Sequence, residues 1–134
     1  MATAAAGAVT FAAMSAADMR EAFFGAMLRG EYADGLAWSE RFDDAGRTVY
    51  AQGVAQAPGR ILFRGDVICF RYEQGFSGGC FEVWRRSANC FDFYGTDITG
   101  RPFAGWRARR AGTGWSARAW RTDAASTCRA VPVG

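Results

Sequence analysis

A chain of 134 residues, half of them hydrophobic and 15% aromatic, carries enough apolar surface for one buried core, which excludes a disordered polymer. Its net charge is only +3, all sixteen cations are Arg, and neither Lys nor His occurs. That excludes a Ser-His-Asp or Cys-His nucleophile, an imidazole metal ligand, a Schiff-base lysine and the lysine of a phosphate-binding loop.

Residues 1–14 are small and apolar, with an A-x-A pattern at Ala4–Ala6. They lack the basic start of a secretory signal, because the first cation is Arg20. We read them as an Ala-rich leader or, preferably, the remnant of a signal peptide that starts upstream, and residues 15–134 as one β domain. Elsewhere no apolar run approaches the ~20 residues that a membrane-spanning helix requires. Ser15 with Asp18 predicts a capped helix from Ala16 to Phe24, ending at Gly25 and burying Met19, Ala22 and Phe23.

Beyond Gly25, turn signals return every 8 to 12 residues. They bound predicted strands at 26–32, 36–42, 47–52, 60–63, 67–73, 80–84, 90–94, 106–109 and 115–121. Such regularity argues for a barrel or a sandwich, and closure would remove the exposed edges of a meander. Glu40 alternates onto the same face as Trp38 and Phe42, so that strand is bulged, paired or differently phased.

Three of these strands open alike: Cys69-Phe70-Arg71-Tyr72, Cys80-Phe81-Glu82-Val83 and Cys90-Phe91-Asp92-Phe93. Alternation sends the aromatic and aliphatic residues to one face, and the cysteines, Arg71, Glu82 and Asp92 to the other. Arg71 and Glu82 are expected to meet on the polar face as a surface pair. The four cysteines form no C-x-x-C, which argues against zinc and leaves disulfides or reduced thiols. Of three possible pairings we favour Cys69–Cys80 across a hairpin, with Cys90–Cys128 tying back the tail.

No cofactor motif is present, and Gly78-Gly79 sits in a hairpin loop rather than ahead of a helix. Glu31 and Glu40, on neighbouring strands, with Asp34 and Asp43-Asp44 in turns, are the carboxylates to weigh for glycosidase-type chemistry. Acids in a small β domain are far more often turn formers or solvated, and the chain is read as non-enzymatic. Residues 1–100 hold nine Arg and twelve acids, whereas residues 101–134 hold seven Arg against Asp123 alone. Trp106, Arg107, Arg109, Arg110, Trp120 and Arg121 therefore form a candidate face for an acidic partner. A nucleic-acid platform has a similar composition, but the chain lacks its other motifs. Trp38, Tyr50, Phe63, Tyr72 and Phe93 are the candidate wall of a cavity for a small apolar ligand. So many large rings nevertheless favour a filled interior.

The run Gly59-Arg-Ile-Leu-Phe-Arg-Gly-Asp-Val-Ile-Cys-Phe-Arg-Tyr72, followed by Cys80-Phe-Glu-Val83, resembles a loose family of small exported alphaproteobacterial proteins. Ser15–Met19, and Gly30-Glu-Tyr-Ala-Asp-Gly35 with Trp38, extend the resemblance over about residues 15–94. It implies a lipocalin-like barrel in the periplasm and transfers no functional residue; Ile61 stands where that family usually has Trp. The expectation is thus an all-β, antiparallel meander closing into a lipocalin-like barrel of about eight strands, with a short N-terminal helix. Its expected role is a periplasmic or secreted module for a small apolar ligand, without metal or cofactor. The alternative is an accessory or inhibitory interaction subunit.

Overall fold

Ser15 opens the first helix, α1 (Ala16–Phe23), through a reciprocal cap. Its hydroxyl accepts from the Asp18 amide at 3.0 Å, and the Asp18 carboxylate accepts from the Ser15 amide at 3.2 Å. The computed structural model describes residues 12–73 and 77–130. The leader up to residue 11, with Ala4–Ala6, and positions 74–76 of the loop before Cys80 lie outside the described residues. Met14, placed by sequence at the end of the leader, is buried in the core, and its amide donates to the Val83 carbonyl at 2.7 Å.

Eight strands follow: β1 (Met27–Tyr32), β2 (Ala37–Phe42), β3 (Arg47–Gln52), β4 (Ala55–Arg64), β5 (Val67–Tyr72), β6 (Gly79–Ser87), β7 (Cys90–Gly95) and β8 (Ala117–Arg121). Each pairs antiparallel with the next, and β8 returns to β1 to close the barrel. No strand edge is left for another chain to extend. The three Cys-Phe rows behave as alternation requires. Phe70, Phe91, Phe93 and Val83 are in the core with Phe81 packed against it, while Cys69 and Cys80 face each other across β5 and β6. Both expected disulfides form, Cys69–Cys80 and Cys90–Cys128. Among the described residues, no helix is long and apolar enough to cross a membrane.

The helix closes one end of the barrel. Phe23 is fully buried, with its ring 5.1 Å from Phe91, 5.7 Å from Phe42 and 5.9 Å from Phe93. Removing such a ring typically costs about 3–5 kcal/mol. Hydrogen bonds pin both ends of α1, from the Ala16 amide to Asp66 in the β4–β5 turn and from Arg121 to the Ala22 carbonyl.

Two sequence expectations are corrected here. Trp106–Arg109 is not a strand but the start of a second helix, α2 (Trp106–Ala111), ended by Gly112 in the left-handed conformation. It belongs to the crossover between β7 and β8, and β4 and β6 instead run longer than expected. Arg71 and Glu82 do not meet either, because Phe70 already faces Gly79 in the β5–β6 register and carries Arg71 past the start of β6. Glu82 instead accepts from Arg109 Nε at 2.8 Å and from Trp84 Nε1 at 2.7 Å.

The polar face of the Cys-Phe rows is also not solvated. Asp92, fully buried, takes Arg86 Nε at 2.6 Å on one oxygen and Arg118 Nε at 2.6 Å on the other. Arg86 continues to the Tyr94 hydroxyl at 2.8 Å and to the Arg109 carbonyl, and Arg118 reaches the Gly112 carbonyl at 3.3 Å. Two guanidiniums on one carboxylate thus fasten α2 to the outside of β6, β7 and β8. Buried charges persist where pairing and further hydrogen bonds satisfy them, as they do here.

Candidate functional site

Tyr32, Gln52 and Tyr72 end β1, β3 and β5, and Gly78 precedes β6, so all four lie at the end of the barrel away from α1. Between them opens a cavity of about 350 Å³. Its wall is mostly aromatic, and it lies at the lower end of the ~300–1,000 Å³ typical of small-molecule sites. The rings therefore do not fill the barrel, contrary to the expectation from their number.

Two glycines account for the space. Gly30 pairs with Trp38 across β1 and β2, and a Cβ on Gly30 would come within 2.4 Å of the indole ring. Gly59 pairs with Tyr72 across β4 and β5, and its Cβ would lie 2.6 Å from the phenol ring. Both rings can approach the wall because the residue opposite has no side chain. Trp38 meets Phe93 edge-on at 6.2 Å and Tyr32 at 5.9 Å; Tyr72 lies 5.4 Å from Tyr50.

Into this apolar setting the regular alternation of β2 sends Glu40, 3% exposed. No bulge is needed, since Leu28, Glu40 and Tyr50 are in register across β1, β2 and β3. The Tyr72 hydroxyl donates to Glu40 Oε1 at 2.7 Å, while Oε2 and the Thr48 hydroxyl beside the carboxyl are both buried and make no direct hydrogen bond. Burial raises the Glu40 carboxyl to about 7, against the opposing pull of the Tyr72 and Thr48 hydroxyls. A second polar row runs along the rim: Tyr32 and Tyr50 hydroxyls lie 2.5 Å apart, and Tyr50 donates to Gln52 Oε1 at 3.1 Å. Burial, and then the Tyr50 hydrogen bond, push the Tyr32 phenol well above its ordinary value. Trp38 Nε1 is a buried donor without an acceptor.

Of the residues predicted from sequence, Trp38, Tyr50, Tyr72 and Phe93 are brought together in this wall. Phe63 is not. It lies at the helix end, 6.3 Å from Phe24, with the Arg20 guanidinium 4.5 Å above its ring. Sequence reasoning missed Tyr32 and Gln52, and weighed Glu40 only as a catalytic carboxylate, not as part of this wall. The signal for Glu40 was its parity with Trp38 and Phe42, which placed it inside but did not say that the inside was hollow. Its expected partner Glu31 is exposed on the outer face of β1, so the two carboxylates do not share a cleft.

The predicted partner face does not assemble as one free cationic surface. Arg109 is paired with Glu82, and Arg121 binds Asp123 at 2.5 Å as well as the Ala22 carbonyl. Trp106 packs on Trp84 at 5.7 Å and keeps half its surface exposed, beside the exposed Arg107 and Arg110. Trp120 sits on β8 next to Arg29 of β1, apart from these α2 residues. Fold and site together define an eight-stranded antiparallel barrel, stoppered by a helix and open on an aromatic cavity with one buried carboxylate. No protein-family model matches the chain, and no curated protein or solved structure matches it significantly.

Proposed function

We propose that this protein is an exported, non-catalytic barrel that holds one small, largely apolar ligand in its open mouth. The observation that carries this reading is the cavity of about 350 Å³ walled by rings and set with a few inward polar groups. A molecule built only for stability would fill such a space, because an empty site forfeits dispersion contacts over its whole lining. Export is supported by the two disulfides, which persist in oxidising compartments. The alternative of an accessory or inhibitory subunit is less well supported, since two of its six candidate residues are engaged in ion pairs within the chain.

The test is titration with a neutral apolar fluorophore, followed by displacement with 1-octanol. Wild-type protein is expected to bind one equivalent. An Ala117→Leu variant, which adds bulk to the wall beside Phe93, is expected to lose binding while keeping its melting temperature within a few degrees. Equal binding by both proteins would place the probe elsewhere and remove this reading.

A further inference from the structure

We infer that the ligand carries a protonated amine, an organic cation whose nitrogen sits against the free oxygen of Glu40 while its apolar body lies among the rings. The inference rests on the cavity being a ligand site and names the chemistry of what enters it.

Charge comes first. Among the described residues of the wall, Glu40 is the one formally charged side chain. The chain has sixteen arginines, and none of them lines the cavity. A carboxylate or phosphate headgroup is best received by a cation, and the formal charge on this wall has the opposite sign.

Hydrogen bonding points the same way. Tyr72 uses its proton on Glu40, Tyr50 uses its own on Gln52, and Tyr32 is left to donate to Tyr50. The buried phenols therefore present spent donors, and once Glu40 is ionised its Oε2 is an acceptor that makes no direct hydrogen bond. A buried carboxylate oxygen without a donor is unfavourable, and an ammonium N–H on that oxygen corrects both the missing hydrogen bond and the missing counter-charge. Trp38 Nε1, a buried donor of the wall without an acceptor, is left for an oxygen elsewhere on the ligand.

The rings supply the third element. Trp38, Tyr32, Tyr50 and Tyr72 share the cavity wall with the carboxylate, and Trp and Tyr faces attract a cation within ~6 Å of the ring centre. An aromatic enclosure with one acid at its wall discriminates an amine from a neutral alcohol by charge, and from a fatty acid by repulsion.

Proton linkage follows from the same geometry. Glu40 faces Leu28 and Tyr32 from β1, Thr48 and Tyr50 from β3, and Tyr72 from β5. Burial raises all three tyrosines further above neutrality, so Glu40 alone titrates near pH 7 in this cluster. An ammonium binds the ionised form, and the ionised fraction falls about tenfold from pH 8 to pH 6 for a group at about 7.

Calorimetric titration with octylamine, 1-octanol and sodium octanoate decides the matter, because the three share a chain and differ only in the headgroup. At pH 8 octylamine is expected to bind at least tenfold more tightly than octanoate and more tightly than octanol. Between pH 8 and pH 6 its affinity is expected to drop about tenfold, while octanol binding stays level. Glu40→Gln is expected to abolish both the preference and the pH dependence and to leave octanol bound. Octanol or octanoate binding as well as octylamine at pH 8, or a preference that survives Glu40→Gln, would overturn the inference and leave the ligand site standing. Failure of all three to bind would remove the inference and the ligand site together. Should Glu40→Gln not fold, the pH series on wild-type protein separates these outcomes by itself.

Discussion

Replacing Glu40 by Gln keeps the shape of a buried side chain and deletes its titration, which makes stability against pH a direct readout of the site. Burial holds this carboxyl at about 7 against an ordinary 4.5. Between those values the unfolded chain gives up a proton that the native state retains. The contribution of Glu40 to wild-type stability is thus whole below about pH 4.5, declines through the interval, and is gone above about pH 7. At 1.4 kcal/mol per unit the loss amounts to about 3 kcal/mol. With typical urea slopes that is a midpoint shift of roughly 1–3 M. The window is clean, since the chain has no His and Asp43, Asp97 and Asp123 are all held below the usual carboxylate value by hydrogen bonds. Urea unfolding of both proteins at pH 4.5, 6 and 8, with disulfides intact, should give similar stabilities at the acid end and a variant about 3 kcal/mol more stable at pH 8. Parallel curves across the whole range would mean that Glu40 is hydrated and ordinary, and the reasoning about a desolvated carboxylate would fail.

Two further perturbations probe the frame around the site. Asp92→Asn removes the carboxylate shared by Arg86 and Arg118 and leaves two buried guanidiniums without a counter-charge. The expected cost is about 3–5 kcal/mol by urea unfolding, accompanied by proteolytic cleavage near Arg107 and Arg110 as α2 loosens; a loss under 1 kcal/mol would show the clamp to be dispensable. Gly30→Ala sets a methyl 2.4 Å from the Trp38 ring and 2.7 Å from the Arg118 carbonyl, so the indole must leave the wall. A destabilisation of about 1–3 kcal/mol and altered tryptophan fluorescence are expected, and an unchanged spectrum would remove Gly30 from the account of how the cavity stays open.

The parts of the fold legible in the sequence are those set by local rules. Ser15 and Asp18 mark a helix start wherever they occur at that spacing, and the Cys-Phe rows alternate whatever lies beyond them. The Cys69–Cys80 disulfide follows once these rows are placed, because adjacent strands bring the two cysteines opposite each other, and Cys90–Cys128 is then the pair that remains. The segment 106–111 reads wrongly as a strand because Trp and Arg at alternating positions mimic one. What makes it helical is the pair of glycines at its ends and the ion-pair clamp beneath it, and the clamp is visible only in three dimensions. The hollow interior is illegible for a similar reason. Counting rings gives their volume, but whether they meet in the middle depends on Gly30 and Gly59 standing opposite Trp38 and Tyr72.

The two buried carboxylates of this barrel differ in a way that separates structure from function. Asp92 has both oxygens occupied by guanidiniums, and each guanidinium is carried onward to a backbone carbonyl of the α2 segment. Such a site is saturated and has no capacity left for a ligand. Glu40 has one oxygen on a tyrosine and the other without a direct hydrogen bond or a counter-charge, in a cavity large enough for a small molecule. A chain with sixteen arginines had ample means to neutralise Glu40 in the same manner. A carboxylate left half-satisfied inside a fold that satisfies its other buried acid so fully is a local cost, and such costs persist where function requires them. On the proposed reading the missing partner is the ligand, and what the ionised oxygen lacks is a donor bearing positive charge.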